Sequence, residues 1–373
     1  MLVGVPKEIK NHEYRVGLTP AAVKELTDHG HQVFIESAAG EGVGFSNQFY
    51  QNSGAVILDA AEDVFAQAEL IIKVKEPQPR ERARLKPHHT LFTYLHLAPD
   101  VPQTRELLAS GATCIAYETV TDQAGRLPLL APMSEVAGRM SIQAGARCLE
   151  KSMEGRGVLL GGVPGVEPAK VVIVGGGVVG QNAAAMAVGL GADVTVLDRS
   201  LDALRQLNSR YGNQVKTVYS TSQSIEEQVT QADLVIGSVL LPGAAAPKLI
   251  TQSMVKAMKK GAVIVDVAID QGGCTDHSVP TTHDEPTFIV DGVVHYCVAN
   301  MPGAVARTST LALNNATLPF ILELANKGTK EALTDNPHLQ NGLNVCKGVI
   351  TCESVAKAQG LSWESAEKII QKL

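Results

Sequence analysis

Five polar side chains close or follow apolar runs in this 373-residue sequence, and their chemistries complement one another. Arg15 follows the first run in KNHEYRVGLTP, Lys75 closes ELIIKVK, His96 closes LFTYLH, Asp270 closes AVIVDVAID, and Asn300 closes VVHYCVAN. Ligands of open α/β sheets sit outside the carboxyl ends of strands, so these positions are where chemistry is expected. A guanidinium and an ammonium can bind a small carboxylate, while an imidazole and a carboxylate can move its protons. Each residue also has a purely structural reading. Arg15 and Lys75 could be solvated loop charges, His96 a core imidazole, Asp270 a turn cap with Gly272, and Asn300 the start of the turn at Pro302-Gly303. Lys73 and Asp266, inside the same runs, compete with Lys75 and Asp270. The combination, more than any single residue, favours function.

A second constellation lies in VVIVGGGVVGQNAAAMAVGLGADVTVLDRS. Gly175, Gly177 and Gly180 satisfy G-x-G-x-x-G directly after an apolar strand and before an alanine-rich helix. In that context the first glycine permits the tight turn and the second lets a pyrophosphate approach the backbone. The third allows helix and strand to pack closely, with the phosphates over the helix N-terminus. Asp198 ends the next strand, where a carboxylate accepts from the adenosine ribose hydroxyls and repels a 2′-phosphate, favouring NAD over NADP. Arg199 beside it could hold a phosphate or point to solvent.

These residues need a scaffold of alternating strands and helices. The runs LVGVPKE, QVFIES, AVIL, ELIIKVKE, HTLFTYLHL and ATCIAYETV alternate with helical stretches, the first of them capped by Thr19, started by Pro20 and ended by Gly30. Such alternation implies βαβ units and a parallel sheet. A long helix from Pro132 leads through the loop GRGVLLGGVPGVEPAK into a second series, KVVIVGGG to TFIVDGVVHYCVAN. A further long helix follows, kinked or interrupted at Pro319, and then a short tail helix capped by Ser362. That tail is too small for a core of its own and must dock on the first domain. The expected fold is therefore α/β, with two doubly wound, Rossmann-like parallel-sheet domains joined by long helices. The first is discontinuous (1–130 with 305–373) and is the substrate domain; the second (131–304) is the NAD-binding domain.

Length and 45% hydrophobic content fit two buried cores. A net charge of −6 without basic runs argues against nucleic acid or an anionic membrane as partner, leaving a small molecule. The opening MLVGVPKEIK lacks the apolar stretch of a signal peptide and no segment is long enough to span a bilayer, so a soluble, cytoplasmic protein is expected. Six cysteines without C-x-x-C spacing read as reduced, mostly buried thiols, and no metal is expected.

Taken together, KEIKNHEYRVGLTP, IIKVKEP, LFTYLHLA, APMSEVAGRM, VVIVGGGVVG, VDVAIDQGG and NMPGAVARTST resemble the L-alanine dehydrogenase family, in order and over essentially the whole chain. The proton-translocating nicotinamide nucleotide transhydrogenases share this architecture, and saccharopine and lysine-forming dehydrogenases do so more distantly. The resemblance implies reversible oxidative deamination of L-alanine by NAD and water to pyruvate and ammonium, in a homohexamer. It implies that Arg15 and Lys75 hold the substrate carboxylate and that His96 and Asp270 handle protons, while Asn300 is a substrate-binding candidate from its strand-end position. It also implies NAD contacts from Ser134, Val178, Val179, Asp198, Ser220, Val239, Leu240, Val267, Ala268, Ile269, Asp270, Val298, Ala299, Asn300 and Met301. Family members often carry a basic residue where this chain has Ala203 or Val279, which implies a different cofactor affinity. The rival readings are a transhydrogenase-type subunit and an NAD-binding regulatory protein without chemistry. The absence of a membrane segment and the end at Leu373 favour a self-contained dehydrogenase.

Overall fold

Runs of β-branched and aliphatic residues that are apolar on both faces form parallel strands covered on both sides. The computed structural model describes residues 1–239 and 246–373. Six strands open the chain, the central ones buried on both faces: β1 (Leu2–Val5), β2 (Gln32–Glu36), β3 (Val56–Leu58), β4 (Leu70–Ile72), β5 (Thr90–Thr93) and β6 (Thr113–Ala116). Seven more follow: β7 (Lys170–Val174), β8 (Asp193–Asp198), β9 (Val215–Tyr219), β10 (Leu234–Gly237), β11 (Val263–Asp266), β12 (Thr287–Val290) and β13 (Val293–Tyr296). Two short ones, β14 (Leu343–Cys346) and β15 (Val349–Ile350), come near the end.

The described residues fall into two units, Met1–Met133 with Val305–Leu373, and Ser134–Ala304. In the first, the strand order is β15-β14-β6-β5-β4-β1-β2-β3; in the second it is β12-β13-β11-β10-β7-β8-β9. Each contains the doubly wound order, in which the chain leaves its first strand in one direction and later returns to that strand's other side. The resulting switch points, between β1 and β4 and between β7 and β10, are where this topology places a ligand, outside the strands' carboxyl ends.

Both sheets are parallel-dominated, as expected of doubly wound domains, and each also carries antiparallel pairs at one edge. TFIVDGVVHYCVAN is an antiparallel hairpin, β12 on β13, turning at Asp291 (φ 51°) and Gly292 (φ 78°). β14 runs antiparallel to β6 and folds back into β15 through Lys347 (φ 49°) and Gly348 (φ 77°). Two consecutive residues with positive φ give the turn whose twist matches a two-residue hairpin.

The helix Pro20–Asp28 begins as its sequence dictates: Thr19 Oγ1 accepts the Ala22 N–H at 3.2 Å, and Pro20 takes the first helical position. Asn314, buried on the helix Ala306–Lys327, accepts from both the Thr19 amide (2.9 Å) and hydroxyl (2.7 Å), tying the late helix to the early one. That helix continues through Pro319, held by buried Leu313, Thr317, Ile321 and Leu324 on its packed face. The tail helix is Ala366–Ile370 with Ser365, not Ser362, at its N-cap. Residues before it stay extended because the Glu364 N–H bonds to the Ile350 carbonyl at 3.0 Å.

The strand ends also differ from the sequence reading. Lys75, His96, Asp270 and Asn300 lie beyond β4, β5, β11 and β13, on the connecting loops. Lys73, the rival of Lys75, is wholly buried between Glu8 (2.9 Å) and Glu81 (2.7 Å). Burial alone pushes its ammonium down, but the two carboxylates outweigh burial and hold it above the ordinary lysine value. Lys73 is thus a structural cation. Removing it leaves two carboxylates buried without their counter-charge, and Lys73→Ala is expected to destabilise the first unit by about 3–5 kcal/mol. Denaturant unfolding beside Lys75→Ala checks this, since the half-buried Lys75 makes no ion pair among the described residues and its loss should leave the midpoint nearly unchanged.

Candidate functional site

β1, β4 and β5 are adjacent, so the loops leaving their carboxyl ends share one edge of the sheet at its switch point. Arg15 lies after β1, Lys75 after β4 and His96 after β5. Arg15 is only 2% exposed, which rules out the solvated-charge reading. Glu13 grips it: Nε and Nη2 of Arg15 donate to the two carboxylate oxygens at 2.7 and 2.6 Å, and Nη1 approaches Met133 Sδ at 3.0 Å. Desolvation opposes the buried guanidinium's charge, but Glu13 more than restores it, so the cation is permanent and fixed in direction.

Glu8 organises the next loop. Its Oε2 accepts from Lys73, and its Oε1 accepts the Val74 N–H at 2.7 Å and the Lys75 N–H at 3.3 Å. Burial raises the Glu8 carboxyl above its ordinary range despite Lys73. The Lys75 carbonyl accepts from Thr93 Oγ1 at 3.0 Å, tying this loop to the end of β5. Among the described residues, the Lys75 ammonium makes no hydrogen bond, in contrast to that of Lys73.

His96 carries φ 50° between buried Leu95 and Leu97, and its own side chain is 43% exposed. The core reading of LFTYLHLA therefore fails for this residue while holding for its neighbours. The imidazole stacks on Tyr94, ring centroids 5.7 Å apart and planes 5° apart. Tyr94 is buried, donates to the Leu129 carbonyl at 2.5 Å, and lies within electrostatic reach of Arg15. Burial raises the Tyr94 phenol far above its usual range, keeping it neutral. The tyrosine thus links the imidazole to the guanidinium.

In the second unit, the glycine turn leaves β7 beside β10. Gly175 has φ 110°, and a Cβ there would sit 2.7 Å from the Ser238 carbonyl oxygen. At Gly180 a Cβ would come within 1.8 Å of the Gly175 carbonyl oxygen, so the helix Val178–Gly189 can approach the strand only without one. Gly177 is different: a Cβ there would meet nothing within 4 Å, and no side chain caps the helix it begins. The protein's own packing does not require that glycine, whereas a pyrophosphate lying against the turn would. Asp198 accepts the Gly176 N–H at 2.5 Å through one oxygen and the Ser200 N–H at 2.6 Å through the other. These bonds fix the carboxylate beside the turn, and the residue remains partly exposed, as a ribose acceptor requires. Arg199 is exposed and forms no ion pair among the described residues. The residues fit a dinucleotide.

Ser220, whose N–H bonds to the Asp198 carbonyl at 3.0 Å, extends this edge after β9, and Val239 follows β10. Leu240 lies outside the described residues. Val178 is exposed and Val179 buried at the helix start, while Ser134 is partly buried on the helix Ala131–Cys148. Val267, Ala268, Ile269 and Asp270 form one tight turn, Val267–Gln271, after β11. Val298, Ala299, Asn300 and Met301 follow the neighbouring β13, with Asn300 at φ 63°. Asp270 is exposed. Asp266, its rival, is fully buried and accepts from Ala268 N (3.1 Å), Cys274 N (2.9 Å) and Ser278 Oγ (2.5 Å), so it shapes the turn that carries Asp270. Ala203 lies on the helix Leu201–Tyr211 and Val279 is exposed; neither supplies a charge.

Glu8, Glu13, Tyr94 and Glu118 escaped the sequence reading. Their signal was present as acids crowded beside basic residues in VPKEIKNHEYRVG and as the lone acid after TCIAY. The five cysteines other than Cys352 are buried, and burial pushes Cys297 up to about 12, leaving it an unreactive thiol. Among the described residues no helix is long and apolar enough to cross a membrane.

Residues 4–137 match the family described as Alanine dehydrogenase/PNT, N-terminal domain, and residues 141–353 match Alanine dehydrogenase/PNT, C-terminal domain. The chain is 60% identical to an alanine dehydrogenase of Halomonas elongata, covering 99% of this chain and 100% of the relative. It is 55% identical to an alanine dehydrogenase of Bacillus subtilis over 100% of this chain and 98% of that one. A solved L-alanine dehydrogenase superposes with TM-score 0.93 at 52% identity, covering 96% of this chain and 99% of the other. A transhydrogenase from Sinorhizobium meliloti shares the fold, with TM-score 0.81 at 24% identity over 95% of this chain and 100% of the other. With both halves matched in order and relatives this similar over nearly the full length, the chain belongs to the alanine dehydrogenase/PNT family.

Proposed function

We propose that this protein is an NAD-dependent amino-acid dehydrogenase that interconverts L-alanine, NAD and water with pyruvate, ammonium and NADH. One observation carries the reading. A fixed guanidinium, an ammonium and an exposed imidazole leave three neighbouring strand ends in a chain 60% identical to an alanine dehydrogenase.

Gly175, Gly177, Gly180 and Asp198 would hold NAD, which would supply the acceptor for hydride from the substrate Cα. Arg15 and Lys75 clamp the substrate carboxylate, which restricts the orientation of the Cα–H bond. Glu13 adds to this by preventing Arg15 from swinging with the substrate. Once the substrate ammonium has given one proton to solvent, loss of hydride from the neutral amine leaves an iminium, a strong electrophile that water attacks. His96 takes the proton of that water, a task suited to an imidazole because its charge changes near neutral pH. Asp270 stabilises the positive nitrogen and passes its protons through the carbinolamine until ammonium leaves. Asn300 supplies an amide for the substrate's remaining polar atoms. Each residue reverses its role in the amination of pyruvate. The family resemblance further supports a cytoplasmic homohexamer acting in amino-acid catabolism.

Incubation of the pure protein with NAD and a panel of amino acids tests the reading. NADH should form with L-alanine, and NADH oxidation should require both pyruvate and ammonium. Hydride exchange between two nucleotides alone would favour the transhydrogenase-type reading, and NAD binding without turnover on any substrate would favour a regulatory protein. Two variants divide the site. Lys75→Ala should abolish turnover and weaken pyruvate binding while melting near the wild-type temperature; wild-type pyruvate affinity would return Lys75 to the surface-charge reading. Asp198→Ala should weaken NAD binding and relax the preference over NADP, because the ribose acceptors and the repulsion of a 2′-phosphate are both lost. Titration with each nucleotide measures the ratio, and an unchanged ratio contradicts the assignment.

A further inference from the structure

The last register pair of β5 and β6 is Thr93↔Ala116, and beyond it the two chains part. The N–H groups of Leu95 and His96 then have no ladder to join. A single carboxylate receives both. Glu118, on the turn Tyr117–Thr119 that follows β6, accepts the Leu95 N–H at 3.2 Å through each oxygen and the His96 N–H at 2.7 Å through Oε1. The neighbouring carbonyls are tied as well: Gln103 Nε2 donates to Leu95 O at 2.6 Å, and Gln359 Nε2 donates to Leu97 O at 2.6 Å. Between these anchors His96 holds φ 50°, a conformation that a residue bearing a Cβ keeps only when its surroundings enforce it.

The same carboxylate does not hydrogen-bond the ring. His96 Nδ1 lies 4.0 Å from Glu118 Oε1, too far for a hydrogen bond, and the ring rests instead on Tyr94. Glu118 therefore grips the backbone beneath the imidazole and leaves both ring nitrogens to be used elsewhere.

We propose that Glu118 is a positioning residue for His96, fixing the Leu95-His96 peptide so that the half-exposed imidazole is presented in the geometry proton transfer needs. This rests on the reading that His96 handles protons. What matters is the reach of an acceptor oxygen to two amides. Glu118→Gln, with its amide oxygen in the place of Oε1, keeps an acceptor in reach of both amides and loses the charge and the second contact to Leu95; Glu118→Asp keeps the charge and draws the oxygens back by one methylene.

The experiment measures pyruvate amination and backbone amide exchange in the full chain for Glu118→Gln, Glu118→Asp, His96→Gln and the double variant Glu118→Asp/His96→Gln. Glu118→Gln should retain most of the wild-type kcat and the slow exchange of the Leu95 and His96 amides. Glu118→Asp should lose roughly 10–100-fold in kcat with KM for pyruvate nearly unchanged, the scale of loss that a misplacement of about 1 Å produces, and should exchange those amides faster. His96→Gln should lose roughly 10²–10⁴-fold, the range of a general acid/base, and Glu118→Asp should add no further loss in that background. The proposal is overturned if Glu118→Gln falls as far as Glu118→Asp, if Glu118→Asp turns over normally, or if the two losses multiply in the double variant. A His96→Gln protein with wild-type turnover overturns the reading of His96 itself, a result distinct from these three.

Discussion

Past the last rung of a parallel sheet, backbone N–H groups remain that must bond to something, and in this protein carboxylates take them. Glu8 accepts the amides of Val74 and Lys75, and Glu118 those of Leu95 and His96. Asp198 accepts from Gly176 and Ser200, and Asp266 from Ala268 and Cys274. Each of these acids fixes the loop that carries a proposed ligand-binding or proton-moving group. Each carboxyl group offers several lone-pair sites on two oxygens, so four side chains can each hold two amides in loops that regular secondary structure no longer supports.

Burying that much negative charge has its own demand. Glu8 and Glu81 lie almost out of solvent and share Lys73, while Glu13 is neutralised by Arg15. The two cations solve different problems. Lys73 is enclosed by its partners and serves the fold. Arg15 is oriented by Glu13 from one side and lies within electrostatic reach of Tyr94, whose ring supports His96. The proposed substrate clamp and proton carrier thus meet at Tyr94, which is buried beside the guanidinium and carries the exposed imidazole on its ring.

Much of this was legible in the sequence. The alternation of strands and helices, the cap at Thr19 and the three glycines with Asp198 follow from local chemistry that tertiary contacts reinforce. The hairpin β14–β15 was not legible, because its turn is Lys347-Gly348 and its strands are too short to show a period. The Ser362 cap failed for a tertiary reason, the use of the Glu364 amide by β15. Lys73 and Lys75 cannot be told apart in IIKVKEP, since only the partners arriving from Glu8 and Glu81 make one a buried ion and leave the other half-exposed. The acids that position the site are invisible for the same reason: Glu8 and Glu118 are distant in sequence from the amides they hold.

The chemistry proposed here removes the Cα hydrogen as hydride, with His96 and Asp270 reserved for protons on oxygen and nitrogen. Oxidation of L-alanine carrying deuterium at Cα separates that route from abstraction of the Cα hydrogen as a proton. Mass analysis of the nucleotide and the residual alanine after partial turnover should find one deuterium on each NADH formed and none exchanged into solvent. Unlabelled NADH, or alanine that has traded its deuterium for solvent hydrogen, would contradict hydride transfer from Cα.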